Sequence, residues 1–600
     1  MIFAISISGL KAQSFNPLLA SMLQDTLDTY VSQILNIKGM SASIHIPGQG
    51  IWTGVSGISH AGQPITRDMR FGIASNSKLF TSVMMLKLAE NNIISLEDSL
   101  HDWLAISNPN IDTNITIRQL LNHSSGLSDP FFGAPWVDTI LANPTRVFTP
   151  NEVLKWIGAP LFPTGSSYGY SNTNYVLAGM VAESASGKSL SKLIRDSILT
   201  PLNMDSTFID VEEPVNGTLA HRWWNRVVNS VTQDYHDTSR VGLNSAVGYA
   251  GSIFSTPSEM VQWYHALFNG QVINQSSMNE LTAFIATSNP NYQYGLGLSR
   301  DKTQAFRYWG HGGRTWGYKS KMMYDTCLHV SVAGFTNSDP SGVDAVTFLL
   351  YSAVKNHIPG CIEAISGTAA VCEGTNSVTY TVPHISSATS YTWTLPSGVT
   401  GTSITNSITV NFGIGAKSGN IKVTGINKYG SGGSSSLWVN VHPIPATPLI
   451  SKNGDTLISN IPSGNQWYNS GGIILGATNS KYTIGNSDHY FCMVTQLGCT
   501  SDTSNIIAAV PSSVDETFLK NELEIYPNPT SSQATLETDI QLKNATLMVT
   551  NYLGQVVAQI NNIHGQTITF NCDDLPSGLY FVYLTNDSKI IASKKLIINN

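Results

Sequence analysis

The spacing of apolar residues in the first half of the chain alternates between the period of a helix and that of a strand. Near the start, apolar residues recur at helical spacing and predict a helix; they are Leu19, Leu23, Leu27, Val31 and Ile34. Residues 41–57 predict a β-hairpin that turns at Pro47–Gly48. A long apolar helix is predicted after Ser75, ending at Asn91–Asn92.

The next part of the chain returns to strands before it ends in a helix. Strand-like runs lie around residues 306–310, 319–324 and 329–336, and a last helix is predicted over roughly residues 342–356. Strands near both ends of a region, with helices between them, favour a single α+β domain whose two ends share a sheet. We place this domain at residues 16–358.

Downstream, the pattern becomes one of short apolar runs between Ser, Thr, Gly and Asn. Turn residues recur about every 8–12 positions, which is typical of β-sandwiches. The stretch VHPIPATP at 441–448 divides the region into modules at residues 361–443 and 446–511, and a polar linker at 511–522 leads to a third module at residues 523–600. The sequence therefore predicts an α+β domain followed by three small all-β sandwich domains.

The first fifteen residues, MIFAISISGLKAQSF, are short and apolar, with a small-residue site at Ala12–Gln13. Such a segment predicts the end of a secretory signal peptide, and we assign residues 1–15 to it. A buried amino-terminal strand is the alternative interpretation.

Composition excludes several classes of protein. At 600 residues the chain is too long for a single core. Its net charge of −7 leaves no basic footprint for nucleic acid, and only 12% of its residues are charged, which suits extracellular β-rich modules. Beyond the amino terminus there is no apolar run of the roughly 18 residues that a transmembrane helix needs, so we expect no transmembrane segment.

The six cysteines are few for this length. They are Cys327, Cys361, Cys372, Cys492, Cys499 and Cys572. They form no C-x-x-C pair and no cluster with histidine at zinc spacing, so we expect neither a metal nor a cofactor. Their pairing stays open at this point; Cys492 has two interpretations, a local disulfide with Cys499 or a free thiol.

Candidate chemistry centres on the stretch FGIASNSKLF at residues 71–80. Ser-x-x-Lys occurs five times in the chain, at Ser8, Ser75, Ser189, Ser299 and Ser352. Only the second of these serines begins an apolar helix, which would place Lys78 on the same face as Ser75 and desolvate the lysine until it can act as a base. Ser77 points about 100° away and is the poorer nucleophile. A solvent-facing Lys78 is the alternative interpretation.

A second group is Tyr170-x-Asn172, where a phenol near the lysine can shuttle protons and an amide can orient a substrate carbonyl. His123, in the stretch NHSSGL, is expected to be a structural hydrogen-bonding residue. The positions of several aromatic residues stay open. Trp309, Trp316 and Tyr318 either line the cleft or belong to the core, and the segment HRWWNR at 221–226 is either exposed or lines the cleft.

The third group is YWGHGGRTWGYKS at residues 308–320. Glycines at Gly312 and Gly313 would let a ligand pack against a strand backbone. The backbone N–H of Arg314 could complete an oxyanion hole with that of Ser75.

Together, the three groups resemble those of the serine β-lactamase and penicillin-binding superfamily, in its class C β-lactamase and D-alanyl-D-alanine carboxypeptidase branch. That branch has Ser-x-x-Lys, Tyr-x-Asn and Lys- or His-x-Gly in this order; the matching pairs are Ser75–Lys78, Tyr170–Asn172 and His311–Gly313. The resemblance covers about residues 20–345. It implies an antiparallel sheet flanked by helices, an all-helical lobe and a site between the two.

The resemblance also implies a role for each matched side chain. Ser75 would be the nucleophile, Lys78 and Tyr170 the proton carriers, and Asn172 and His311 the substrate contacts. In true class C β-lactamases a lysine stands in place of the histidine, and a neutral histidine would hold a substrate carboxylate less well.

The all-β modules carry resemblances of their own. SYTWTLPSG (390–398) resembles PKD-type domains, and NQWY (465–468) with YFC (490–492) resembles an Ig-like domain. The last module contains IYPNPTSSQATL, YLGQVV, LPSGLYFVYL and KKLIIN. This series resembles the C-terminal sorting domain of the type IX secretion system, which implies that this machinery is a partner and carries the protein from the periplasm to the cell surface.

The sequence thus predicts a secreted, cofactor-free serine hydrolase that forms an acyl-enzyme on Ser75 and acts on esters or D-amino-acid peptides, with cell-wall peptides among the candidate substrates. One alternative is a class C-type β-lactamase, against which both His311 and Arg314 count, because a small residue is common at the latter position. Others are a catalytically silent binding protein of the same fold, for peptidoglycan or a peptide, and an adhesin whose function lies in residues 361–511.

Overall fold

The computed structural model describes residues 15–34, 37–225, 232–303, 308–339, 341–511, 523–586 and 589–599. Apart from Phe15, the predicted signal peptide lies outside these ranges, as does the predicted linker beyond Pro511.

The helices described in the first domain range from a single turn to nearly five turns. They are α1 (Pro17–Gln33), α2 (Ser77–Glu90), α3 (Leu100–Trp103), α4 (Ile117–Leu121), α5 (Ala134–Ala142), α6 (Pro150–Leu154), α7 (Asn172–Ser186), α8 (Leu190–Ile194), α9 (Val241–Val247), α10 (Pro257–Phe268), α11 (Gln275–Leu281) and α12 (Val343–His357).

The strands described in this domain lie before, between and after the helices. They are β1 (Gly39–Ile46), β2 (Gly50–His60), β3 (Gln63–Pro64), β4 (Phe71–Gly72), β5 (Phe208–Ile209), β6 (Trp223–Trp224), β7 (Gln233–Asp234), β8 (Ile253–Ser255), β9 (Ile285–Ala286), β10 (Tyr292–Tyr294), β11 (Ser299–Asp301), β12 (Tyr308–Thr315), β13 (Tyr318–Asp325), β14 (Ser331–Thr336) and β15 (Ser338–Asp339).

One antiparallel sheet organises the domain. Its nine described strands have the order β3-β2-β1-β14-β13-β12-β11-β10-β9. Strand β1 pairs with β14, with Ile44 opposite Val332. The two ends of the domain therefore share a sheet, and the predicted α+β fold class is confirmed.

Helices cover both faces of this sheet. Successive residues on a strand point to opposite faces, so neighbouring residues of one strand belong to different cores. On β14, Val332 belongs to a core with α1 and α12, whereas Ala333 and Phe335 belong to a larger core with α2, α7 and α10. Every residue of β14 is buried, as expected for a strand that is covered on both sides.

The helical lobe is built around α7. This helix contacts α2, α3, α4 and α6, and most of its residues are buried. The candidate residues lie where α2 and α7 meet strand β12, between the lobe and the sheet.

The later modules contain strands joined by turns and loops, with no helix among their described residues. They are β16 (Ala370–Cys372), β17 (Val378–Thr381), β18 (Ser390–Thr394), β19 (Val399–Thr400), β20 (Ser407–Phe412), β21 (Gly419–Asn427), β22 (Gly430–His442), β23 (Ile450–Asn453), β24 (Thr456–Ser459), β25 (Asn465–Asn469), β26 (Gly472–Ile473), β27 (Lys481–Thr483), β28 (Asp488–Gln496), β29 (Cys499–Thr500), β30 (Ile507–Ala509), β31 (Leu523–Tyr526), β32 (Gln533–Asn551), β33 (Val556–Asn571), β34 (Gly578–Asn586) and β35 (Lys589–Ile598).

These strands form small sheets within each module. The first β module has the sheets β16-β22-β21-β18 and β17-β20-β19, and the second has β23-β24-β27 and β26-β25-β28-β29, with β30 on β28. The last module has the order β31-β32-β34-β35, with β33 on β32.

Disulfides join neighbouring modules. Cys327, in the turn between β13 and β14, pairs with Cys361, and Cys372 pairs with Cys499 in the second β module. Cys492 is a free thiol, buried in the core of its own module. The structure therefore supports the free-thiol interpretation of Cys492, because Cys499 is already paired with Cys372 of the first β module.

The first β module docks at the end of the main sheet that lies away from the candidate residues. Asn427 Nδ2 donates to the carbonyl of His357 at 2.6 Å, and Gln49 Nε2 donates to the carbonyl of Ser431 at 3.1 Å. Gly312, Gly313 and Arg314 of β12 pair with the first half of β13, whereas the Cys327 disulfide follows its end. Along a strand of eight residues this separation is about 20 Å.

We expect residues 16–358 to fold alone and to keep the activity predicted from the sequence, because the docked module contacts the far end of the sheet. With Cys327→Ser to remove the unpaired thiol, kcat/KM for a p-nitrophenyl ester should stay within about twofold of the full chain. A soluble but inactive product beside an active full chain would show that the β modules complete the site.

Candidate active site

Ser75 lies in a short 3₁₀ turn, Ala74–Asn76, that leads directly into α2. The sequence predicts it at the start of the α-helix, and the structure places it two residues earlier, where the chain enters the turn through Ala74 with a φ of 48°. The turn runs directly into α2, and residues three apart along consecutive helical turns lie on the same face. Lys78 is accordingly brought over Ser75.

This turn is held against β12 and β13. Ser320 Oγ donates to the carbonyl of Ile73 at 2.7 Å, and Asn76 Nδ2 donates to Ser320 Oγ at 2.8 Å. A Cβ on Gly313 would lie 2.1 Å from the carbonyl oxygen of Ile73, so the strand can approach the turn this closely only with glycine there. Gly312 is exposed, and a Cβ there would meet no atom closer than 3.9 Å.

Lys78 is buried, and its amine lies among uncharged polar groups. Nζ lies 3.0 Å from Ser75 Oγ, 2.6 Å from Asn172 Oδ1 and 2.8 Å from the carbonyl oxygen of Ala250. Burial lowers the pKa of Lys78 to about 7, against the opposing charge of Asp129. A lysine with this pKa is partly neutral at neutral pH, so it can accept a proton from Ser75.

Tyr170 also reaches Ser75. The centroid of its ring lies 5.0 Å from Nζ of Lys78. Burial raises the pKa of Tyr170 well above its usual value, and a hydrogen bond with Ser75 partly offsets this rise. The phenol is therefore protonated at neutral pH, and it can relay a proton only if it accepts one as it gives one.

Asp129 is a residue of this site that the sequence patterns missed. Its Oδ2 accepts from the backbone N–H and from Nδ2 of Asn172, both at 2.9 Å, and its Oδ1 accepts from the N–H of Phe131 at 3.0 Å. Asp129 thereby turns the Asn172 oxygen toward Lys78. The available signal was Asp129–Pro130, a capping residue followed by proline at the start of a turn.

His311 is buried and uncharged at neutral pH. Its Nδ1 donates to the carbonyl of Gly312 at 2.6 Å, so its Nε2 accepts from the hydroxyl of Tyr294 at 2.9 Å. Burial and the nearby charge of Lys78 lower the pKa of His311 to about 3. This histidine therefore offers a substrate no positive charge.

Arg314 forms an ion pair with Asp339. Its Nε lies 2.9 and 3.0 Å from the two carboxylate oxygens. The side chain of Asp339 is 2% exposed, whereas that of Arg314 is 61% exposed. Burial raises the pKa of Asp339, and the charge and hydrogen bond of Arg314 oppose this rise. The oxyanion role expected of the Arg314 backbone N–H stays a prediction.

Two cavities adjoin these residues. The larger, of about 370 Å³, includes Ser75, Trp224 and Trp316 in its lining, and we call it the tryptophan cavity. The second cavity, of about 260 Å³, lies beside Tyr170 and His311 and does not include Ser75 among its described lining residues.

The aromatic residues that the sequence left open divide between cavity and core. Trp224 and Trp316 line the tryptophan cavity. Tyr318 is part of the larger core, and Trp309 packs against it. Arg226, at the end of the segment HRWWNR, lies outside the described residues.

Two other polar residues near the site are engaged in backbone contacts. Ser77 Oγ accepts from the N–H of Ile253 at 3.2 Å. His123 Nδ1 accepts from the N–H of Ser171 at 3.2 Å and lies 2.8 Å from Asn174 Nδ2. The first contact engages Ser77, which we expected to be the poorer nucleophile, and the second suits the structural role that we expected for His123.

The described ranges contain neither a candidate metal site nor a candidate membrane-spanning helix. No group of three or more His, Cys, Asp and Glu side chains there is placed to hold a metal ion. Within the same ranges, none of the helices combines the length and the apolar character that crossing a membrane requires.

Comparison with known families gives three matches along the chain. The Beta-lactamase family model matches residues 27–352, the PKD-like domain matches residues 358–439, and the Secretion system C-terminal sorting domain matches residues 524–599. These matches confirm the three corresponding resemblances. The Ig-like resemblance of the second β module stays a prediction.

Curated relatives are similar to the first domain at low identity. Penicillin-binding protein 4* of Bacillus subtilis is 28% identical over 274 residues, which cover 44% of this chain and 59% of that protein. A D-aminopeptidase of Cereibacter sphaeroides is 24% identical over 313 residues, which cover 50% of this chain and 56% of that protein. The chain therefore spans less than two thirds of the length of these relatives.

The D-amino acid amidase from Ochrobactrum anthropi SV3 is a structural neighbour. Its complex with D-phenylalanine aligns with a TM-score of 0.51 and 25% identity, covering 56% of this chain and 99% of that chain. Its complex with L-phenylalanine amide aligns with a TM-score of 0.50 and 26% identity over the same shares.

We expect kcat/KM for ester hydrolysis to fall as the pH drops below about 7, because Lys78 must be neutral to accept the Ser75 proton. Asp129→Asn removes the charge that raises the Lys78 pKa, so this acid limb should move to lower pH. The measurement is kcat/KM against pH, with Asp25→Asn, an exposed carboxylate on α1, as the matched control. A limb that stays in place or moves to higher pH would contradict this role of Asp129.

Proposed function

The chain belongs to the beta-lactamase family, and from that premise we propose that it is a serine hydrolase that forms an acyl-enzyme on Ser75 and acts on esters or D-amino-acid peptides. The observation that carries this proposal is the buried amine of Lys78, 3.0 Å from Ser75 Oγ and with a pKa of about 7. A serine hydroxyl is a weak nucleophile until an adjacent base takes its proton.

In the proposed acylation, Lys78 Nζ takes the proton of Ser75 Oγ while Oγ bonds to the substrate carbonyl carbon. The backbone N–H groups of Ser75 and Arg314 would stabilise the oxyanion that forms. Tyr170 then gives its proton to the leaving group and takes one from Lys78, so that a neutral alcohol or amine departs. Water attacks the remaining ester, its proton passes back by the same route, and Ser75 is freed.

Two observations support esters and D-amino-acid peptides over β-lactams as substrates. One relative is named a D-aminopeptidase, and the aligned amidase was crystallised with D-phenylalanine. His311 stands where the lactam-hydrolysing branch has a lysine to hold the substrate carboxylate, and its lowered pKa leaves it uncharged. A catalytically silent binding protein has less support, since Ser75, Lys78 and Tyr170 come together.

The sorting domain at residues 524–599 supports export. We propose that the type IX secretion machinery carries the protein from the periplasm to the outer cell surface or beyond. The two preceding β modules would then act as spacers between the sorting domain and the hydrolase domain.

A fluorophosphonate probe should label the full chain on Ser75, within the peptide containing residues 71–78. Ser75→Ala should abolish this label, and Lys78→Ala should abolish it at neutral pH by removing the base. Ser352→Ala, which alters another Ser-x-x-Lys serine, is the matched control and should keep the label. Label that survives Ser75→Ala would defeat the assignment.

The same preparation should rank substrates. We expect kcat/KM for a short-chain p-nitrophenyl ester and for a D-Ala-D-Ala peptide to exceed that for a chromogenic cephalosporin, with Ser75→Ala as the blank. A cephalosporin that is turned over faster than both would identify a β-lactamase in which Arg314 does the work of the missing lysine.

Deleting residues 523–600 should trap active enzyme in the periplasm of a host that has the type IX system, because the export signal is lost and the catalytic groups are kept. Cell fractionation with an ester assay measures this, with the full chain as the control. Normal surface delivery of the truncated chain would refute the proposed export role.

A further inference from the structure

The tryptophan cavity has a rigid apolar wall. Trp224 and Trp316 stack with ring centroids 4.8 Å apart and an interplanar angle of 6°, and Phe131 and Leu243 line the cavity with them. Stacked rings present a large flat surface to an apolar group. A volume of about 370 Å³ accommodates a phenyl ring together with its neighbouring atoms.

The acyl part of a substrate would lie in the tryptophan cavity, because the residue that would protonate the leaving group lines the other cavity. Ser75, which would hold the acyl group, lines the tryptophan cavity. Tyr170, which would protonate the leaving group, lines the second cavity. The acyl residue and its α nitrogen would therefore lie beside Trp316 and the ion pair of Arg314 with Asp339.

This ion pair exposes its cation and covers its anion. Among the described residues that line the cavity, Asp339 is the only carboxylate. Arg314 Nε covers both of its oxygens, at 2.9 and 3.0 Å. The terminal nitrogens of Arg314 make no hydrogen bond within the described residues, and its side chain is 61% exposed against 2% for Asp339. Among its described lining residues, the cavity thus offers free N–H donors and no open carboxylate.

These charges distinguish a free amine from a blocked one. A free α-ammonium would lie near the positive guanidinium of Arg314 without a carboxylate to replace its hydration. The carbonyl oxygen of an N-acyl group would instead accept a hydrogen bond from the guanidinium.

We propose that the acyl part of the substrate is an N-acylated residue with a large apolar side chain, held by the tryptophan cavity and by Arg314, rather than a residue with a free amine. This inference rests on the proposed function and names the substrate class of the same site. It separates this chain from a relative whose name, D-aminopeptidase, describes action at a free amine.

The first experiment compares blocked and free amines on the full chain at pH 7, where an α-amino group is largely protonated. The substrates are the p-nitroanilides of N-acetyl-D-phenylalanine and of D-phenylalanine. We expect kcat/KM to be about tenfold or more higher for the N-acetyl compound. Equal rates, a faster free amine, or turnover of neither compound would overturn the inference.

Arg314→Gln tests the cause of this preference. It uncovers the Asp339 carboxylate, so the free-amine anilide should gain on the N-acetyl anilide by about tenfold. The matched control is Arg118→Gln, which breaks ion pairs with Glu97 and Glu280 in another part of the domain and should leave the ratio unchanged. A ratio that does not move in Arg314→Gln would overturn the role of the ion pair.

A second pair of substrates tests the apolar wall. We expect p-nitrophenyl phenylacetate to exceed p-nitrophenyl acetate in kcat/KM, and Trp316→Ala should lower this ratio by about tenfold. The control is Trp438→Ala, which removes a tryptophan that is 52% exposed on the first β module. An unchanged ratio in Trp316→Ala would overturn the assignment of the wall.

Fluorophosphonate labelling separates failure of this inference from failure of the proposed function. Ser75 that labels normally, in an enzyme with the opposite substrate preference, would overturn only the inference. A folded wild-type chain that is neither labelled by the probe nor able to turn over any of these substrates would overturn the inference and the proposed function together.

Discussion

The amine of Lys78 is buried among Ser75 Oγ, Asn172 Oδ1 and the carbonyl oxygen of Ala250, and none of these partners carries a charge. A protonated amine in this place has lost its hydration, and neutral dipoles replace only part of it. Its pKa therefore falls to about 7, held from falling further by Asp129. The same three contacts give an ammonium an acceptor for each of its donors, so both protonation states can be accommodated.

These partners come from separate parts of the chain, so the base exists only in the packed domain. Ser75 lies in the turn before α2, Asn172 begins α7, and Ala250 ends the 3₁₀ turn Gly248–Ala250 after α9. Packing of α7 against α2 and against this turn keeps water from the amine. Loosening any of these contacts would rehydrate Lys78 and return its pKa toward that of an ordinary lysine.

The β modules are tied to the hydrolase domain without reaching these contacts. The chain connects each module to the next. The disulfide Cys327–Cys361 connects the hydrolase domain to the first β module a second time, and Cys372–Cys499 does the same for the first and second β modules. The docked hairpin of the first β module contacts residues at the far end of the main sheet. The candidate active site and the attachment point of the β modules therefore lie at opposite ends of the main sheet.

The sequence by itself determined what depends on short spacing. The Ser-x-x-Lys spacing of Ser75 and Lys78, the Tyr170-x-Asn172 pair, and the alternation of apolar residues in the β modules are local patterns, and they sufficed for the fold class and for most of the candidate site. Even there, the entry through Ala74 shifted Ser75 out of the α-helix, because a positive φ depends on the packing around the turn.

Only the tertiary structure decided which distant residues meet. Asp129 contacts Asn172 across 43 positions, Arg314 pairs with Asp339 rather than facing the site alone, and Trp224 stacks on Trp316. The pairing of Cys499 with Cys372 belongs to the same class. Local propensity carries no information on such contacts, because they arise when helices and strands formed far apart in the chain bury their apolar faces against one another.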